Sequence, residues 1–170
     1  MKKTTLSGLL ICILALFAIA GCKGSNDEEP QPTTAVVTIM SQGTSTQIYG
    51  VNVTVVLPAG VTVKATPDSA NPAVQVTNAG VVAASGAAAG ANTSTIATYT
   101  AATATASGQV MVQVANAAGF GTGEFVTVNC DIAAGSFPKA TDFSATGLTA
   151  VDSNGASIAG LTAGYTADIQ

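Results

Sequence analysis

The stretch SGQVMVQVANAAGFGTGEFVTVNCDI, residues 107–132, decides how this chain folds. Val110, Val112 and Val114 alternate with Met111 and Gln113, and successive side chains of a β-strand point to opposite faces. The valines therefore form a buried face, and Met111 and Gln113 point the other way. The second half repeats the pattern, with Val126, Val128, Cys130 and Ile132 sharing a face. Between the two runs lies NAAGFGTGEF, whose glycines suit a turn and not the interior of a regular element.

Working outward, VNVTVVL (51–57) has the same signature. Val51, Val53, Val55 and Leu57 lie on one face, with Asn52, Thr54 and Val56 on the other. Pro58-Ala59-Gly60 ends that strand, and the short VTV segment (61–63) resumes in extended form. Weaker strand signals cover Val36–Met40, Val74–Val76, Thr95–Tyr99, Leu148–Val151 and Tyr165–Ile169. VDSNGASI (151–158) reads as a hairpin turn, with Asn154-Gly155 suited to positive φ. Ala83–Ala91 is alanine-rich but contains Gly86 and Gly90 and has no amphipathic stripe, so it reads as loop. About nine short strands punctuated by turns predict an all-β fold, an antiparallel β-sandwich.

Composition excludes several functions. The chain has 170 residues, net charge −4, no His and only 8% charged residues. Taking Lys2 and Lys3 away leaves about −6, with Lys23, Lys64 and Lys139 as the remaining cations. Counterion-driven nucleic-acid binding needs clustered cations, so none is expected. Lack of histidine removes the commonest metal ligand and general base. No cofactor or metal is expected. From Ser69 to Gly123 there is no charged residue. A β-prone stretch of that kind must cover its edges or associate with something.

Carboxylates do not pair as a hydrolase would need. Glu124 and Asp131 are seven positions apart on one predicted strand. A regular strand would put them on opposite faces and about 23 Å apart, too far for the two-carboxylate chemistry of glycosidases. Asp152-Ser153-Asn154-Gly155 lacks the further oxygen ligands of a calcium loop and reads as a turn. Cys130 shares the apolar face of its strand and is expected to pack as a small hydrophobe. A leftover thiol in an exported protein would otherwise pair between chains or react. The chain is therefore expected not to be an enzyme. Aromatic residues are few and Trp is absent. A sugar-binding platform would need Tyr49, Tyr99 and Phe120 coplanar and exposed. Phe120 is expected to anchor its turn against the core.

The N-terminus carries a different signal. Met1-Lys2-Lys3 precedes an apolar run from Leu6 to Ala20, which is short for the roughly 20 residues of a membrane span. It suits the hydrophobic region of a secretory signal. The run closes on Ile19-Ala20-Gly21-Cys22. These residues resemble the lipobox of bacterial lipoproteins. In that family the cysteine thiol receives a diacylglyceryl group, the chain is cut just before it, and the new amine is often acylated. The resemblance implies lipidation of Cys22 and a signal peptide over 1–21. Lys23, not Asp, follows the cysteine, which in the family implies the bacterial outer membrane, on its periplasmic or its surface face. Residues 22–34, polar, acidic and with two prolines, are expected to form a flexible tether. Residues 35–170 are expected to form the domain.

The order GVNVTVVLPAGVTV, GVVAASG, SGQVMVQVANAAGFGTGEFVTVNCDI and FSATGLTAVDSNGASIAGL resembles bacterial cohesin-type domains. That family is a jelly-roll sandwich of about 140 residues, and the resemblance spans nearly the whole predicted domain. It implies a non-catalytic module that binds a protein partner, a dockerin-like chain being one such partner, in surface assembly or adhesion. A carbohydrate-binding module and a self-associating structural subunit stay open beside it.

Overall fold

Strand alternation is realised over most of the computed structural model, which describes residues 30–44, 47–71 and 74–170. The expected signal segment, the expected lipidation site at Cys22, and the expected tether as far as residue 29 lie outside the described residues. Eleven strands run in the order β1 (Thr34–Gln42), β2 (Ile48–Leu57), β3 (Val61–Thr62), β4 (Ala65–Pro67), β5 (Gln75–Thr77), β6 (Val82–Ala84), β7 (Thr93–Thr100), β8 (Gly108–Phe120), β9 (Gly123–Ile132), β10 (Ser144–Val151) and β11 (Thr162–Ile169). Two short 3-10 turns, Gly86–Ala88 and Ala140–Asp142, are inserted. Residues Gln31–Gln170 form one compact unit.

The strands make two antiparallel sheets. The smaller runs β11-β1-β9-β3, with β6 pairing further along β9; the larger runs β10-β2-β8-β7-β5-β4. Most connections carry the chain from one sheet to the other, as in a jelly roll. The expected count of about nine strands rises to eleven, because β4 and β6 have only three residues each. Segments that short show no periodicity to read. The Gly-rich turn after β8 also does more than join neighbours: β8 and β9 belong to different sheets.

Burial follows the predicted faces. Val51, Val53, Val55 and Leu57 of β2 and Val110, Val112 and Val114 of β8 face Val37 and Ile39 of β1 and Val126, Val128 and Cys130 of β9 across the core. The alternation fails at three places, all bulges; besides one in β10, where Gly147 and Leu148 stand against Val53 alone, there are two more. Ile39 pairs with Val126 but Met40 with Glu124, so Phe125 is an extra residue in β9. Its ring is fully buried and packs tilted on Phe120, centroids 6.5 Å apart. A bulge changes which face later residues occupy. Glu124 therefore stands on the same outer face as Asp131, opposite Met40 and Thr34, and not on the opposite face as regular alternation predicts. Six strand positions still separate them, about 20 Å.

The third bulge is in β8. Gly50 pairs with Ala115 but Ile48 with Phe120, so Asn116, Ala117, Ala118 and Gly119 stand against Tyr49 alone. Asn116 is buried, and its polar atoms are satisfied there: Nδ2 donates to Thr93 Oγ1 at 2.8 Å, and Oδ1 accepts the Ala118 N–H at 2.8 Å. The Thr93 hydroxyl in turn donates to the Ala88 carbonyl, tying the bulge to the first 3-10 turn.

The two ends of the sandwich differ. At the base, Thr33 and Thr34 donate their N–H groups to the Gln170 carbonyl, and Ile132 N–H donates to Thr33 O. The Pro58–Gly60 turn and the loop from Ala133 to Phe143 close this end, joined by an Ala133 N–H to Gly60 O bond. Gly60 has φ +77°, and a Cβ there would lie 2.7 Å from Ser136 Cβ, so both backbone and space require glycine. The top carries the β1–β2, β8–β9 and β10–β11 connections. In the last of these, Asp152 Oδ1 accepts from Asn154 N–H at 2.8 Å and Ala156 N–H at 2.9 Å, and Gly155 takes positive φ. The predicted hairpin is thus a turn braced by its aspartate.

Candidate binding face

Register places the outward side chains of the larger sheet in rows. Thr149, Asn52, Gln113 and Ile96 stand side by side across β10, β2, β8 and β7. The next row towards the base is Thr146, Thr54, Met111 and Thr98; the row towards the top is Val151, Gly50, Ala115 and Ser94. None of these four strands contains a charged residue. Directly opposed side chains on a sheet lie within about 5.5 Å, so the rows form a continuous surface.

Small residues shape that surface. Gly50 and Ala115 are neighbours in one row, and the missing side-chain volume leaves a shallow groove of about 180 Å³. Asn52 and Gln113 form one bank, with Asn52 Nδ2 donating to Thr149 Oγ1 at 3.4 Å. The groove is smaller than the several hundred Å³ of a typical small-molecule pocket. Beside it two apolar side chains stand in water: Ile96 is 58% exposed and Met111 51%. They are diagonal neighbours on β7 and β8 and make one apolar step in a field of Thr, Asn, Gln and Ser.

The outer face of the smaller sheet has the opposite character. Glu124, Asp131 and Asp168 all point out from it, with Thr38, Thr127 and Asn129 between them. Lys64 Nζ approaches Asp131 Oδ1 at 3.8 Å, but both side chains are well exposed, so water screens the pair and it adds little stability. This pair borders a second depression, of about 390 Å³, lined by β1, β9 and residues 79–81. Among the described residues no three of Cys, Asp and Glu come together as metal ligands would.

The sequence-predicted site residues separate cleanly. Cys130 is buried, and its Sγ lies 3.9 Å from the Val128 carbonyl. Burial first, and then the neighbouring Asp131 charge, push its thiol up to about 12. At pH 8 only about one thiol in ten thousand would be ionised, and the thiolate is the reactive form. Native protein is therefore expected to resist iodoacetamide at pH 8 and to react fully once unfolded in denaturant, as read by intact mass. Rapid native labelling would mean the strand opens.

Phe120 is an anchor, not an exposed contact: it is 4% exposed. Tyr99 is also buried, which raises its hydroxyl pKa. Tyr49 is half-buried and donates its hydroxyl to Gln47 Oε1. Tyr49, Tyr99 and Phe120 thus do not make an exposed aromatic platform. Ile96, Gly50 and Ala115 escaped attention in the sequence. The signal for them was the run of small and apolar residues at outward positions of alternating strands. Compared with known proteins, the chain matches no protein-family model, no curated protein and no solved structure.

Proposed function

We propose that this chain is a non-catalytic β-sandwich, lipid-anchored through Cys22 at the bacterial outer membrane, that binds a protein partner with the outer face of its larger sheet. The observation that carries this reading is the uncharged face of β10, β2, β8 and β7 with Ile96 and Met111 exposed at its centre. Burying charges in an interface is costly, and the cores of protein interfaces are depleted in them and enriched in Met. Exposed apolar groups rimmed by polar residues are the usual mark of an interaction site. The jelly-roll arrangement and the cohesin-type resemblance support a modular, dockerin-like partner. The lipobox supports the anchor.

A photo-cross-linking residue placed at Met111 tests the face, with Thr38, on the outer face of the smaller sheet, as comparison. In native membranes the Met111 probe should capture a discrete polypeptide that the Thr38 probe does not. Ile96→Asp should reduce that capture at least about tenfold, the equivalent of about 1.4 kcal/mol, while leaving the unfolding midpoint nearly unchanged because the side chain is exposed. Capture of glycan alone, or equal capture from both faces, would refute the reading.

A further inference from the structure

One large apolar side chain stands well apart from the neutral face. Phe137 is 60% exposed, in the loop from Ala133 to Phe143 at the base of the sandwich. It contributes little to the core. The loop holds it out by defined bonds on both sides. Ser136 N–H donates to Ala133 O at 3.0 Å. Lys139 N–H donates to Asp142 Oδ2 at 2.8 Å, and Asp142 N–H returns to Lys139 O at 2.9 Å. Phe137 thus stands exposed between two hydrogen-bonded turns.

The base is also where the chain comes in from its N-terminal side, at Thr33 and Thr34. Eleven residues, Lys23 to Thr33, separate that point from Cys22. Covalent geometry limits their reach to about 40 Å. With Cys22 in a bilayer, the base is the end of the sandwich to which the chain from Cys22 is joined, so it can lie no further than this from the anchor. Both lysines among the described residues, Lys64 and Lys139, are at this end, whereas the top has Glu124 and Asp152 and no lysine. The base also carries four acids, Asp68, Asp131, Asp142 and Asp168, which outnumber its two lysines, so the contact does not rest on a net positive charge. Asp131 faces Lys64, Asp142 accepts from Lys139 N–H, and Asp168 accepts from Gln170 Nε2. Asp68 accepts from the Ala70 and Asn71 N–H groups.

We propose that the Ser136-Phe137-Pro138-Lys139 loop is a second, non-covalent membrane contact, in which the Phe137 ring enters the bilayer interface and the Lys139 ammonium stays among the headgroups. Aromatic rings favour that zone, and a lysine stem can lie along apolar surface while its head remains in water. The contact rests on the lipid anchor proposed above, because one ring adds only a weak grip. It turns a protein held by its tether into one with a defined orientation. The base meets the membrane, and the neutral sheet face stands roughly along the membrane normal, open to a partner from the side.

The chain contains no Trp, so Phe137→Trp introduces a single indole reporter at an exposed position. The full acylated protein, in phosphatidylethanolamine–phosphatidylglycerol vesicles, is isolated by flotation and its lipid mass confirmed. Indole emission should then shift to the blue and be quenched by brominated acyl chains. Ala159→Trp, in the connection at the top, should stay unshifted and unquenched. If the Phe137→Trp protein is acylated and floats but its indole remains in water, the second contact is overturned and the anchor stands. Equal quenching in the two variants also overturns it, since the sandwich would then lie without preferred orientation. A chain that neither floats nor carries lipid overturns the anchor and this contact together.

Discussion

Phe125→Ala is expected to lower the unfolding free energy by about 3–5 kcal/mol, far more than truncation of any exposed side chain would. The ring is fully buried and sits at the bulge where β9 gains its extra residue. Removing it takes the ring's transfer energy and leaves a void beside Phe120, whose own ring loses its partner at 6.5 Å. The surroundings cannot collapse freely, because β9 is bonded to β1 on one side and to β3 and β6 on the other. Domains of this size have only about 5–15 kcal/mol of stability, so the variant is expected to be marginally folded at 37 °C. Denaturant unfolding followed by circular dichroism measures it. Met111→Ala, on the exposed face, is the comparison and should change stability by less than about 0.5 kcal/mol. A loss below about 1 kcal/mol for Phe125→Ala would mean that the ring is not a core element.

Cys22→Ala is expected to move the protein from the membrane fraction to the soluble fraction. Each buried methylene is worth about 0.8 kcal/mol, so two acyl chains of about fifteen methylenes each supply on the order of 20 kcal/mol of membrane affinity. A single exposed ring at Phe137 cannot replace this, which is why the second contact orients the protein without retaining it. Fractionation with and without high salt, together with intact mass, reads the result. The parent should carry added mass consistent with a diacylglyceryl group, and the variant should not. A variant that stays with the membrane after losing its Leu6–Ala20 run, or a parent with a bare thiol at residue 22, would end the anchor proposal.

Much of the sandwich was legible from side-chain alternation. The valines of β2 and β8 and the Val126–Ile132 set of β9 fell on the faces predicted for them, because a two-residue period leaves only two choices and valine settles which is buried. Glu124 was misplaced, and the burial of Phe125 went unread, for the same reason: one inserted residue flips every later side chain, and a bulge has no signature in composition. β4 and β6 were missed because three residues carry no period. The groove and its apolar step were illegible until register was known. Gly50 and Ala115 are distant in sequence, and nothing in either strand states that the two will be paired.

The division between the two levels is thus physical. Local chemistry in the chain was enough to establish strands, buried faces, turn glycines and the scarcity of charge, since each depends on a few neighbouring residues. Which strands lie side by side, which sheet each joins and which loops gather at one end depend on contacts between residues far apart in the chain. Packing of two twisted sheets around one core selects them. That selection turned Ile96 and Met111 into neighbours and put Phe137 at the same end as Thr33 and Thr34.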